Sequence, residues 1–310
     1  MKGKEMPKLT LEQKIRKVRN DYQLYLLLLP AVVLVIVFNY IPMYGITIAF
    51  KNYSPRLGIL GSEWIGFVHF ERFFASPFFW RILYNTISLS VYQLAVGFFV
   101  PIVIAIMLNS LTHTGIKKKI QLIIYAPHFI SMVVLVGMIY VFTSQHGLIN
   151  NILGTFGIDP IMFMSEAKWF RPLYVLTGVW KDAGWASIIY LAALANVPPE
   201  LNEAAIMDGA NPWQRILHID LPTIKPVITV LFVLAVGNVM NLGFEKAFLM
   251  QTPLNLEASE IIPTYVYKLG LQRGEFSFST AVGLFNAVIN LVLLVTVNYI
   301  TKKTDEDAGI

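Results

Sequence analysis

Cysteine is absent from the 310 residues, which excludes disulfides, thiolate metal sites and thiol nucleophiles. Charge is scarce: Asp, Glu, Lys and Arg make up 14% of the chain, against about 25% in a soluble domain. No G-x-x-x-x-G-K-[ST] occurs, so the chain has no loop of its own to cradle nucleotide phosphates. H-E-x-x-H and G-x-S-x-G are missing as well. The five histidines (His69, His113, His128, His146, His218) are scattered without metal-ligand spacing. Nothing resembles a nucleophile–base pair, which ranks a membrane-embedded enzyme last among the readings.

What is abundant is apolar surface. Hydrophobic residues make up 56% of the sequence and the mean hydropathy is +0.61, the composition of an integral membrane protein. Six apolar runs, near 24–49, 82–109, 120–142, 172–195, 225–250 and 280–300, each reach the roughly 20 residues that a helix needs to cross a bilayer. The expected fold is an all-α polytopic bundle. Residues 1–21 form a basic leading segment, part of which, from Leu11, suits a helix lying on the membrane surface. Residues 22–303 hold the spans, and 304–310 form a solvated tail. A signal peptide is disfavoured, because the run from Tyr22 to Phe38 is too long for one and no small-residue cleavage site follows. The aromatics over 50–80 read equally as an interfacial belt or a small packed cap.

Positive charge orients this topology. With the N-terminus inside, 14 Lys and Arg residues fall in cytoplasmic segments and 8 in outer loops. Lys117-Lys118-Lys119 marks a tight inner turn. Both termini are then expected in the cytoplasm. The placement of the basic residues at span edges argues against nucleic-acid binding.

Polar groups inside spans are costly and call for an explanation. Ser131 lies three residues from His128 in the third run, and Asn286 and Asn290 are four apart in the sixth. In the fourth, Lys181 and Asp182 sit between Trp180 and Trp185. Lys181 is expected to snorkel outward, leaving Asp182 toward the interior or water. In the fifth, Asn238, Asn241 and Glu245 are spaced to share one helix face. Each residue taken singly is explained by interhelical hydrogen bonding. As a group, Ser131, Asp182, Trp185, Asn238, Asn241 and Glu245 fit the lining of a path for a hydrophilic solute such as a sugar.

One polar interval, 196–222, stands between the fourth and fifth runs. Pro198-Pro199 suits a first helical turn. Glu200 and Glu203 lie near the positive end of that helix's dipole, and Gly209 suits its left-handed end. Asn211-Pro212 starts a second helix, and Leu221-Pro222 is expected to close it. The spacing Glu203-Ala204-Ala205, three residues, Gly209, nine residues, Ile219, one residue, Leu221-Pro222 resembles the EAA motif of the membrane subunits of binding-protein-dependent ABC importers. Trp64-Ile65-Gly66-Phe67 and Asn85-Thr86 are similar to segments of the same family, and Tyr40-Ile41-Pro42-Met43-Tyr44-Gly45, Tyr125-Ala126-Pro127-His128-Phe129-Ile130-Ser131 and Thr264-Tyr265-Val266-Tyr267 resemble the LplB/YteP-like branch of carbohydrate permeases.

The resemblance implies a six-helix type I ABC importer permease, similar to the maltose permeases, in a bacterial cytoplasmic membrane. It implies a coupling helix whose Glu203, Ala204, Ala205, Asp208 and Gly209 meet a cytoplasmic ATPase. The implied partners are a second homologous permease, two ATPase subunits, an extracellular solute-binding lipoprotein and membrane lipid. ATP and Mg are then held by the ATPase, with no cofactor or metal on this chain. The branch implies an oligosaccharide cargo. A non-sugar importer and an ion-coupled secondary transporter are the alternatives. The second leaves the EAA spacing unexplained and shows no inverted repeat of the kind many such folds carry.

Overall fold

A computed structural model describes residues 20–304. Most of the basic 1–21 segment, including the surface helix expected from Leu11, and the tail beyond Thr304 lie outside the described residues. The first crossing starts with helix α1, Tyr22–Val35. It passes through a π-turn, Ile36–Tyr40, and one α-turn, Ile41–Met43, into a 3-10 segment, Tyr44–Phe50. In the π-turn the Ile41 N–H reaches back to the Ile36 carbonyl. A wide turn here accommodates Pro42, whose ring would clash with a carbonyl four residues back. No residue from Tyr22 to Met43 is buried. This crossing therefore presents its apolar surface outward over most of its length.

A two-residue strand, β1, Lys51–Asn52, pairs antiparallel with β2, Glu63–Trp64, with Lys51 opposite Trp64. The aromatics that follow divide between the two expected roles. Phe73 and Phe79 are buried in a cluster with Phe278 and Val282, while Trp64, Phe67 and Trp80 stay exposed. Helix α2, Phe79–Asn109, is the second crossing.

The third crossing is not the single helix expected over 120–142. Helix α3, Thr114–Tyr125, gives way to a 3-10 turn, Ala126–Phe129. Ile130 is then extended, and Ser131 caps helix α4, Met132–Thr143, by accepting from the Val134 N–H. Pro127, lacking an N–H, opens that interruption. Between the third and fourth apolar runs stands helix α5, Leu148–Thr155, followed by the start of the next crossing.

Helix α6, Ala167–Leu194, has 28 residues and is about 42 Å long. Among the described residues, five other helical segments are long and apolar enough to span a bilayer: 22–50, 79–109, 132–155, 212–237 and 276–303. In α6 the charges Lys181 and Asp182 dilute the hydropathy. It is nonetheless the central rod, packed lengthwise on α2. Phe170, Tyr174 and Val175 join one core cluster with Leu89 and Leu135, and Tyr190 and Leu194 join another with Phe98 and Ile102. Gly184 lets α6 touch the backbone of α3: a Cβ there would stand 2.0 Å from the Ile124 carbonyl oxygen.

Beyond α6 come helix α7, Pro199–Met207, and helix α8, Pro212–Arg215. Leu221-Pro222 does not close α8 as expected. A π-turn, Ile216–Asp220, carries the helix directly into α9, Leu221–Gly237, in the same relation to Pro222 as the first π-turn has to Pro42. The fifth crossing is also discontinuous. It breaks at 238–243 before helix α10, Phe244–Met250, so Asn238 and Asn241 do not share a helix face. Two short turns, Leu256–Ser259 and Ile262–Tyr267, lead to helix α11, Phe276–Thr304. The molecule is an all-α polytopic membrane bundle with six crossings.

Candidate functional site

Two features stand out, a protruding elbow and a central cavity, and α6 and α9 join them. At the elbow, α7 ends in a Schellman motif. Ala210 N–H bonds the Ala205 carbonyl and Gly209 N–H bonds the Ile206 carbonyl, at 2.9 and 3.0 Å. That geometry needs a left-handed residue, and Gly209 has φ +79°. The chain then enters α8 through a capping box. Asn211 Oδ1 accepts from the Gln214 N–H at 2.9 Å, and the Asn211 N–H donates to Gln214 Oε1 at 2.7 Å.

Glu203, Ala204, Asp208 and Gly209 are exposed, and Ala205 is half-buried. Between α7 and α8 lies a notch of about 380 Å³, lined by Ala205, Asp208, Gly209, Gln214, Arg215 and His218. Around it Met207 is 87% exposed and Trp213 73%. Large apolar side chains beside small ones and a carboxylate make a surface suited to another protein. The five coupling residues named from sequence thus lie together on one protrusion.

The cavity has a volume of about 510 Å³ and is walled by α2, α6, α9 and the 238–243 break. Ser90, Gln93 and Gly97 face it from α2, and Tyr174, Gly178, Asp182 and Ala186 line it from α6 at four-residue intervals. Of the path residues expected from sequence, Asp182, Asn238 and Asn241 are in this wall. Ser131 is the α4 cap, and its neighbour Met132 lines the cavity instead. Trp185 lies outside the wall with its ring stacked on His128, centroids 4.7 Å apart and planes 4° from parallel. Glu245 is exposed in the first turn of α10 and is not a wall residue.

The charges are arranged differently from the expectation. Lys181 is buried and does not snorkel outward. Its Nζ donates to the His128 carbonyl at 2.9 Å and to Asp182 Oδ1 at 3.2 Å. Asp182 also accepts from His128 Nδ1 at 2.9 Å. The three side chains fasten the 3-10 break of the third crossing to the middle of α6. Asn241 Oδ1 accepts from Asn286 Nδ2 and Asn290 Nδ2, at 3.3 and 3.1 Å. Asn290 Oδ1 accepts from the Met240 N–H at 3.1 Å. The break in the fifth crossing is thereby fastened to the sixth.

Sequence reasoning missed Ser90, Gln93, Tyr174 and Lys246 in the wall. Gln93 carried a signal, as the only charged or amide-bearing side chain between Asn85 and Asn109. Among the described residues no cluster of His, Asp and Glu could hold a metal ion.

A family described as the inner membrane component of binding-protein-dependent transport systems matches residues 25–306. The chain is 44% identical to Protein LplB of Bacillus subtilis over 310 residues, 99% of this chain and 98% of that protein. It is 47% identical to the polygalacturonan/rhamnogalacturonan transport system permease protein YteP of the same species, over 94% of this chain and 91% of that one. Its fold matches, with a TM-score of 0.86 and 40% identity, a crystal structure of a bacterial ABC transporter involved in the import of the acidic polysaccharide alginate. That match covers 94% of this chain and 98% of the other. A second match, to a bacterial alginate ABC transporter in complex with an alginate pentasaccharide-bound periplasmic protein, has a TM-score of 0.87 at 39% identity, over 95% and 99% of the two chains.

Proposed function

This chain belongs to the family of inner membrane components of binding-protein-dependent transport systems, and from that premise we propose that it forms half of the translocation path for an oligosaccharide. A second, homologous permease supplies the other half. Two ATPase subunits hold ATP and Mg, and each receives one elbow. An extracellular lipoprotein delivers the solute. The chain sits in a bacterial cytoplasmic membrane with both termini inside.

The observation that carries this reading is the elbow itself. Glu203, Ala204, Ala205, Asp208 and Gly209 stand on a capped protrusion between α6 and α9, the two helices whose other residues wall the cavity. A push on the elbow is delivered to those helices, because α8 runs without interruption into α9. Closure of the ATPases around ATP shifts the elbows and switches the side from which the cavity is reached. Asp182, Asn238 and Asn241 then offer hydrogen-bonding groups to sugar hydroxyls, and Tyr174, Tyr190 and Phe98 offer apolar wall.

Glu203→Lys and Gly209→Val test the coupling. Both variants are expected to insert and assemble normally. ATP hydrolysis by the reconstituted complex is expected to lose its stimulation by solute-loaded binding protein. A Cβ-branched residue at φ +79° is sterically disfavoured, which misdirects α8 without touching the spans. Full stimulation in both variants would remove the coupling role.

A further inference from the structure

We propose that His128 is a positioning residue of the solute path: it fixes the Asp182 carboxylate so that Oδ2 stands ready in the cavity wall to accept from a sugar hydroxyl. The inference rests on the importer reading above and adds to it a residue that lies outside the wall.

Asp182 lines the cavity from α6. Both of its hydrogen bonds, from His128 Nδ1 at 2.9 Å and from Lys181 Nζ at 3.2 Å, are made by Oδ1. Among the described residues no hydrogen bond reaches Oδ2. Lys246, in the same wall, interacts with that carboxylate through its charge alone. A carboxylate only accepts, so Nδ1 carries the proton of the bond to His128. An unrestrained aspartate samples several staggered orientations, and a bond at one oxygen selects among them. The side chain stays 53% exposed, which leaves Oδ2 free to meet a solute. Lys181 is the looser of the two holds, because its Nζ sits closer to the His128 carbonyl, at 2.9 Å.

His128 is itself immobilised. Its ring lies flat on Trp185, three residues beyond Asp182 on α6, with centroids 4.7 Å apart. Phe129 meets the same indole edge-on at 5.6 Å. The His128 backbone is held by Lys181, and Gly184 brings the neighbouring helix α3 against α6. Trp185 is thus the platform, His128 the clamp and Asp182 the group presented. The segment 125–131, marked in the sequence by its resemblance to one permease branch, gains a physical role. A side chain ordered before the solute arrives does not have to be ordered by it, which lowers the cost of binding.

The test reads KM and kcat of uptake by the complete reconstituted importer. The probe is whichever tetrasaccharide, from polygalacturonan, rhamnogalacturonan, alginate or arabinan, the wild type carries fastest. His128→Phe keeps the stack on Trp185 and removes the donor. His128→Asn keeps a donor near the position of Nδ1 and removes the stack. His128→Phe is expected to raise KM about threefold to tenfold, the cost of ordering one freed side chain on binding, with kcat nearly unchanged. His128→Asn is expected to stay close to the wild-type KM. In an Asp182→Ala background the two variants are expected to share one KM. A role in packing alone predicts the reverse order, with Asn impaired and Phe normal. That order, an unchanged KM in His128→Phe, or a loss of kcat in both variants would overturn the proposal. So would an effect of His128→Phe on KM that persists undiminished without Asp182. If His128→Phe fails to assemble, His128→Asn decides, a KM near wild type supporting the proposal and a raised KM overturning it. Wild-type uptake of none of the four sugars would overturn the oligosaccharide reading, and this inference with it.

Discussion

Asn241 accepts hydrogen bonds from both Asn286 and Asn290, so a single carbonyl oxygen ties the break in the fifth crossing to the sixth. Asn238 makes only a bond within its own chain segment, to the Leu234 carbonyl. The two residues are therefore expected to respond differently to substitution. Asn241→Leu should cost about 0.6–1.7 kcal/mol, the range for an interhelical hydrogen bond in a membrane, and lower the unfolding midpoint in detergent. Asn238→Leu should leave that midpoint within the roughly 0.5 kcal/mol scatter of surface substitutions and weaken solute uptake. Equal destabilisation by both would contradict the arrangement. Residue roles of this kind were only partly legible in the sequence. Spacing singled out Asn238 and Asn241, which line the cavity, but it placed them on a helix that is in fact broken. Lys181 was misread because its acceptor, the His128 carbonyl, is freed by a 3-10 turn in another crossing. No pattern within the fourth span encodes that partner.

At the scale of elements, the elbow was the most legible part of the chain. Its signals are local: Pro199 at the first turn, Gly209 at the left-handed position, and Asn211 before Pro212. Each fixes a backbone conformation or a hydrogen bond by its own chemistry. Asn211→Ala removes the capping box and is expected to cost about 1 kcal/mol locally. Amide exchange over 213–215 should quicken about fivefold, which is that energy expressed as an opening equilibrium. Unchanged exchange would show that α8 is held by other contacts. The helix breaks at 126–131 and 238–243 were less legible, because apolar runs long enough to span a membrane continue through both. Hydropathy measures side-chain transfer and is blind to a backbone interruption that neighbouring helices satisfy. The fused α8–α9 helix escaped for a related reason. Pro222 reads as a terminator until a π-turn makes room for it.

At the scale of the whole molecule, the fifth crossing packs on both members of the α2–α6 pair and on the sixth, the end of the first crossing packs on the sixth, and most of the first crossing leaves its apolar surface outward. An outer network holds the opposite end of the bundle. Arg81 and Lys268 both pair with Glu260, and Asn85 donates to the carbonyls of Glu257 and Glu260. The elbow lies at the other end of α6 and α9, where the proposed coupling would act. The lack of cysteine makes a clean test available. Ala204→Cys introduces a single thiol on the coupling face, in a complex whose ATPase carries a photoactivatable cross-linker reaction partner for thiols. The measurement is the cross-linked product in membranes, with and without ATP. A product joining this chain to the ATPase, with a yield that changes when ATP is bound, is the predicted result. A thiol at position 204 that reacts only with lipid or with its own bundle, whatever the nucleotide, would contradict it.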